Sequence, residues 1–157
     1  MTIIALDPGF GRLGLAVLTK DKNKETVLYS TCLITSSKLS FPERLNTIIK
    51  EVKMVINKFP VQCLVLEKLY FAKNKTTALQ VAEVRGALLN LAMDQGLTTA
   101  EYDPTAVKIA VTGYGRADKT QVTTMVKRLV NLSEGRRYDD ELDAIALGLT
   151  HLSTIRV

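Results

Sequence analysis

An α/β fold, a mixed β-sheet covered by helices on both faces, is what this 157-residue sequence predicts. Three observations carry the expectation. Short apolar runs rich in β-branched residues fill the N-terminal part. Segments with helical spacing then alternate with short apolar runs, and further helical segments close the chain. The resulting order is βββ-α-β-α-β-α-α-α, which gives a five-stranded sheet.

The first three predicted strands are residues 3–7, 13–19 and 26–34. They are separated by Pro8-Gly9-Phe10-Gly11 and by a charged turn at 20–25. Such short connections favour antiparallel neighbours, hence a three-stranded meander. A long helix follows, because Phe41, Leu45, Ile48, Ile49, Val52, Val55, Ile56 and Phe59 recur at three- and four-residue spacings with lysines between them. Ser40 suits its N-cap, Pro42 its first turn, and Pro60 ends it. The apolar run 63–67 is a strand closed by Glu67. A second helix is expected over 76–93 and a strand over 97–102. A short helix after Pro104, a longer one over 119–131 and a last one over 140–153 complete the order. No repeat, low-complexity segment or long linker divides the chain, so residues 1–157 are expected to form a single domain.

Hydrophobic residues make up 46% and charged residues 24%, the balance of a soluble globular protein. No apolar run approaches the roughly 20 residues of a membrane helix. The apolar start lacks a basic flank and stops at Asp7, which reads as a buried strand and not a signal peptide, so a cytoplasmic location is expected. Cys32 and Cys63 lie far apart without CxxC spacing and are expected to be buried free thiols. The net charge of +5 is concentrated between Pro104 and Arg137. There Lys108, Arg116, Lys119, Lys127, Arg128, Arg136 and Arg137 face only Asp118 and Glu134. A basic stretch of this kind suits a polyanion, since phosphate backbones reward clustered cations through counterion release, although a solvated basic face would look the same.

Asp7 closes one apolar strand and Glu67 another. A carboxylate after a run of Leu, Val and Ile costs desolvation unless something compensates it. Strand carboxyl ends are also where α/β sheets bind ligands. In Tyr138-Asp139-Asp140-Glu141-Leu142-Asp143, the pair Asp140 and Asp143 share a helix face at i, i+3. Spacing equally permits Asp139 with Asp143, and Asp139 is a natural N-cap. Four converging carboxylates repel one another unless divalent cations lie between them, and hard oxygen donors suit Mg²⁺ or Mn²⁺. Two such ions can activate water and stabilise the leaving oxygen of a phosphodiester. Acids for metal beside cations for phosphate describe a nuclease.

Several segments, in order, resemble the RuvC family of Holliday-junction resolvases in the ribonuclease H-like superfamily. They are Ala5-Leu6-Asp7-Pro8-Gly9 with Gly14, Leu66-Glu67-Lys68-Leu69-Tyr70-Phe71-Ala72-Lys73-Asn74, Ala82-Glu83-Val84-Arg85-Gly86, the stretch from Gly113 to Val122, and Asp140-Glu141-Leu142-Asp143-Ala144-Ile145-Ala146. The resemblance spans about residues 3 to 151. It implies a ribonuclease H-like fold, a homodimer that nicks opposed strands of a four-way junction, Mg²⁺ or Mn²⁺ as cofactor, and RuvA and RuvB branch-migration proteins as partners. Asp7, Glu67, Asp140 and Asp143 fall on the family's catalytic acids, which selects Asp140 over Asp139. Lys108 and Lys119 fall on lysines near the scissile phosphate. Tyr70 falls on an aromatic that stacks on a junction base, and Phe71 beside it leaves open which ring stacks. Lys73, Asn74 and Arg116 are expected to contact DNA. The basic loop Gly135-Arg136-Arg137 departs from the family pattern. The alternative activity is that of another ribonuclease H-like nuclease, acting on RNA or an RNA–DNA hybrid.

His151 lies eleven residues past Asp140, roughly 16 Å along a helix at about 1.5 Å per residue, too far to share an ion. Gly86, mid-helix, is expected at a close helix–helix approach, within the chain or at a dimer seam.

Overall fold

The computed structural model describes residues 1–22, 24–69, 75–132, 135 and 137–155, at 75 and 76 through the backbone alone. The elements run β1 (Thr2–Asp7), β2 (Arg12–Asp21), β3 (Lys24–Ile34), α1 (Phe41–Lys58), β4 (Cys63–Glu67), α2 (Lys75–Asp94), β5 (Thr98–Tyr102), α3 (Pro104–Thr112), α4 (Lys119–Leu129) and α5 (Asp139–Thr154). The expected order of strands and helices is the observed one.

The strands form one mixed sheet in the order β3-β2-β1-β4-β5. β1, β2 and β3 pair antiparallel as a meander, whereas β4 pairs parallel to β1 and β5 parallel to β4. Side-chain alternation along each strand then decides what each residue faces. Ile4 and Leu6 of β1 and Leu64 and Leu66 of β4 pack with Ile48, Val52 and Ile56 of α1 and Val84 and Leu88 of α2. Ile3, Ala5, Cys63 and Val65 point to the opposite face, against Val111 of α3, Val122 and Val126 of α4, and the apolar length of α5. Two cores therefore sandwich the sheet. The alternation that builds them also sends Asp7 and Glu67, the next residues in phase with Ala5 and Val65, to the α5 side.

α5 lies unusually close to the sheet. A Cβ at Gly14 would run into the carbonyl oxygen of Asp140, and one at Gly148 into the side chain of Leu18. Glycine at both places lets the helix backbone settle directly on β2.

Several expectations need correction. β2 and β3 extend into the charged turn at 20–25 and pair there, Lys20 with Glu25 and Asp21 with Lys24, because opposite charges across a ladder support it. α4 ends at Leu129, not at residue 131. Tyr138 caps α5, and Asp139 is its first helical residue. Cys63 is buried as expected, but Cys32 is part-exposed on edge strand β3. Of the two settings open for Gly86, the contact within the chain is not seen among the described residues, where a Cβ would have no neighbour within 4 Å. His151 belongs to the core. Its Nδ1 shares a hydrogen bond of 3.0 Å with the Tyr102 hydroxyl, and burial lowers its pKa. Among the described residues no helix is long and apolar enough to cross a membrane.

Candidate active site

Parallel pairing of β1 with β4 runs in register through Leu6 and Leu66, so Asp7 and Glu67 follow side by side at the carboxyl ends of adjacent strands. The next helix on that face, α5, brings Asp143 to the same place. Asp7, Glu67 and Asp143 line one cavity of about 210 Å³, with Lys108 of α3, Lys119 of α4 and an apolar floor that includes Val107, Val122, Ala146 and Leu147. Five elements, β1, β4, α3, α4 and α5, therefore converge on one pocket.

Local structure fixes each acid. The turn after Asp7 is tied down by buried Thr35, whose Oγ1 donates to the Phe10 carbonyl and accepts from Arg44 Nε at 2.9 Å. The Arg44 guanidinium also lies 4.7 Å from the centre of the Phe10 ring. Arg85 of α2 holds the end of β4, donating from Nη1 to the Glu67 carbonyl oxygen at 3.2 Å while pairing with Glu101 of β5. At the start of α5 the buried Glu141 pairs with Arg137 and accepts from Ser30 Oγ at 2.6 Å, which anchors the helix terminus to β3.

Electrostatics mark the cavity as a place of uncompensated negative charge. Burial, followed by the charges of Asp143, Glu67 and Asp140, pushes the Asp7 pKa up to about 7, and Lys119 only partly offsets them. Glu67 is raised by burial and then by Asp143. Asp143 is raised by burial, against the opposing hydrogen bond and charge of Lys119. Lys119 lies 3.1 Å from Asp143 and 3.5 Å from Asp139. Burial lowers its pKa, but the hydrogen bond and charge of Asp143 and the charge of Asp139 outweigh that and raise it.

These groups suit a hard divalent cation in their chemistry. The donors are carboxylate oxygens, and among the described residues the Asp7 and Glu67 carboxylates accept no hydrogen bond and form no ion pair. The Lys119 ammonium already supplies positive charge at Asp143. Among the described residues no three carboxylate, imidazole or thiol side chains stand close enough to enclose an ion as they are. The acids surround the cavity and do not yet grip one point within it.

The remaining expected residues separate. Asp140 does not line this cavity. It faces a neighbouring basin, with Arg12 Nε 3.6 Å from its Oδ2. Arg116 is exposed on the connection between α3 and α4, away from the lining. Tyr70, Phe71, Lys73 and Asn74 fall outside the described residues, between Glu67 and the start of α2. Sequence reasoning missed Arg12, Asp139 as a partner of Lys119, and Arg85 as the anchor of β4. A cation five residues after Asp7 and an arginine in the middle of a predicted helix were the available signals.

Comparison with known proteins places the sequence and the fold. Residues 3–151 match the family described as Crossover junction endodeoxyribonuclease RuvC. A protein of that name from Halothermothrix orenii is 40% identical over 157 residues, covering 100% of this chain and 95% of the relative. Another from Finegoldia magna is 38% identical over 152 residues, covering 97% of this chain and 93% of the relative. The solved structure of T. thermophilus RuvC in complex with Holliday junction substrate superposes with a TM-score of 0.89 at 32% identity, covering 97% of this chain and 93% of the other. The expected ribonuclease H-like fold is thus the observed one.

Proposed function

The chain belongs to the RuvC family of crossover junction endodeoxyribonucleases, and from that premise we propose that it resolves four-way (Holliday) DNA junctions in recombination and repair by symmetric, divalent-metal-dependent hydrolysis of phosphodiester bonds. The observation that carries the reading is the meeting of Asp7, Glu67 and Asp143 in one cavity beside Lys108 and Lys119. Asp7, Glu67, Asp140 and Asp143 would hold Mg²⁺ or Mn²⁺, two ions per site in this reading. The chemistry supplied there is Lewis acidity toward the attacking water and the leaving oxygen.

The chain's own residues do the rest. Lys119, now paired with Asp143, is within reach of a phosphate oxygen as soon as that carboxylate is engaged elsewhere, and Lys108 offers a second positive charge to the same phosphate. The apolar floor limits water around the reacting bond and strengthens each charge interaction. Tyr70 or Phe71 would stack on an unpaired base at the junction, an interaction worth about 1–3 kcal/mol, with Lys73, Asn74 and Arg116 on the DNA backbone.

Two opposed cuts call for two sites, so the proposal includes a homodimer. α2 supports it with a stripe of residues at helical spacing that the described residues leave uncovered. Leu79 is 67% and Met93 69% exposed, and exposed Ala82 and Gly86 lie between them. Delivery of the junction by RuvA- and RuvB-type proteins belongs to the same reading and rests on family membership alone.

The test is cleavage of a four-way junction, a linear duplex and an RNA–DNA hybrid, each with and without Mg²⁺. Rapid metal-dependent nicking of the junction alone is expected. Equal rates on all three substrates would favour the general ribonuclease H-like alternative.

A further inference from the structure

A second, wider basin of about 620 Å³ adjoins the catalytic cavity, lined by Arg12, Lys119, Arg137, Tyr138, Asp139 and Asp140. Lys119 lines both, so the two hollows meet at that lysine. Three cations face two carboxylates here, and each carboxylate is already paired, Asp139 with Lys119 at 3.5 Å and Asp140 with Arg12 at 3.6 Å. Arg137 forms the fixed wall. Its side chain is largely buried, pairs with Glu141 and donates to Ser30 Oγ at 3.0 Å, which ties the residue before Tyr138 to β3.

Arg12 and Tyr138 stand on that wall in a different condition. The Arg12 side chain is 56% exposed, and its Nε stands 3.6 Å from Asp140 Oδ2, a distance too long for a strong charge-assisted bond. Its guanidinium lies 6.0 Å from the centre of the Tyr138 ring. Tyr138 is 49% exposed, and it caps α5 through its backbone, so its ring is not needed to end the helix. A loosely held guanidinium beside an open aromatic face matches the alternation of phosphate and base along a nucleic-acid strand.

We infer that this basin is a binding subsite for the DNA strand next to the scissile bond, with Arg12 on a backbone phosphate and the Tyr138 ring against the neighbouring sugar or base. The inference rests on the junction-cleaving reading. It adds two contact residues beside the N-terminal end of α5, in the hollow that meets the Asp7 and Glu67 cavity at Lys119. Asp139 and Asp140 keep the basin from being a general anion trap. Only a ligand that offers a phosphate to Arg12 and a flat group to Tyr138 gains from both.

The experiment is equilibrium binding of four-way junction DNA in EDTA across a salt series, for the protein and its R12A, R12Q, R12K and Y138L variants. R12A and R12Q are expected to bind about 3- to 10-fold more weakly, with the slope of log K against log salt shallower by about one. R12K is expected to recover the slope. Y138L is expected to lose about 5-fold or more at every salt concentration with the slope unchanged. R12Q keeps most of the stem, so agreement with R12A separates loss of charge from a folding defect. Wild-type affinity and slope in R12A, R12Q and Y138L would overturn the inference. So would a defect of the Arg12 variants that appears only when Ca²⁺ is present, because Arg12 would then act through Asp140. If the unaltered protein prefers a linear duplex to a junction, the junction reading fails, whereas the slope difference measured on that duplex still decides the subsite.

Discussion

Burial and three other acids resist ionisation of the Asp7 carboxyl, and the consequence is measurable in the absence of metal. Its folded-state pKa of about 7 stands above the ordinary 3.8, so folding favours the protonated form. Well below the ordinary 3.8 the group is neutral in both states and costs nothing. As pH rises from there to about 7 the unfolded chain ionises first, and stability falls until both forms are charged. Asp7→Asn removes this penalty. In EDTA at pH 8 the variant is expected to be more stable than the parent by on the order of 2–4 kcal/mol, at about 1.4 kcal/mol per pKa unit, with the difference shrinking to less than about 1 kcal/mol at pH 4. Urea denaturation at the two pH values checks this, and a variant less stable than the parent at pH 8 would contradict it. Asp7 and Glu67 were legible in the sequence because each ends an apolar strand at a cost that needs a reason. The choice between Asp139 and Asp140 was not legible from spacing, since one turn of helix offers both. In space they diverge, Asp139 to Lys119 and Asp140 to Arg12. Arg12 itself looked like any turn charge until α5 was folded back over β2.

At the scale of elements, the seating of α5 on β2 decides where Asp143 points. Gly14 permits it, because any side chain there would meet the Asp140 carbonyl oxygen. Gly14→Ala is expected to push the first turn of α5 off the sheet, at a cost of about 1–3 kcal/mol and a melting temperature lower by roughly 2–12 °C. Junction cleavage should fall further than the loss of folded protein explains, since Asp140 and Asp143 move with the helix. Thermal melts and cleavage rates below the melting range test the pair, and unchanged values of both would remove the packing account. Helical spacing and the prolines at 42, 60 and 104 made the helices readable. The ends of β2 and β3 were less so, because the ladder continues through cross-strand charge pairs that have no apolar signature. The first turn of α5 was misread for a related reason. Asp139 has the composition of a cap, but its side chain serves Lys119, and Tyr138 takes the cap position through its backbone.

Across the whole molecule, one stripe on α2 has no partner among the described residues. The sequence pointed at Gly86 without deciding between an internal contact and a seam between copies, because spacing does not reveal what lies opposite a helix. The empty space around Gly86 removes the internal alternative among the described residues. Changing Leu79 and Met93 together to Lys is expected to convert a dimer into a monomer, read by light scattering, while the circular dichroism of the fold persists. An unchanged mass would move the seam elsewhere.

The central claim concerns the carboxylates that surround one cavity and the work they do on a phosphodiester. It is tested most directly by measuring junction nicking in Mg²⁺ and junction affinity in Ca²⁺ for the parent and for Asp7→Asn, Glu67→Gln and Asp143→Asn. Each variant is expected to lose at least about a hundredfold in rate while binding within about threefold of the parent. A variant of the three that still nicks within a few-fold of the parental rate would contradict the account.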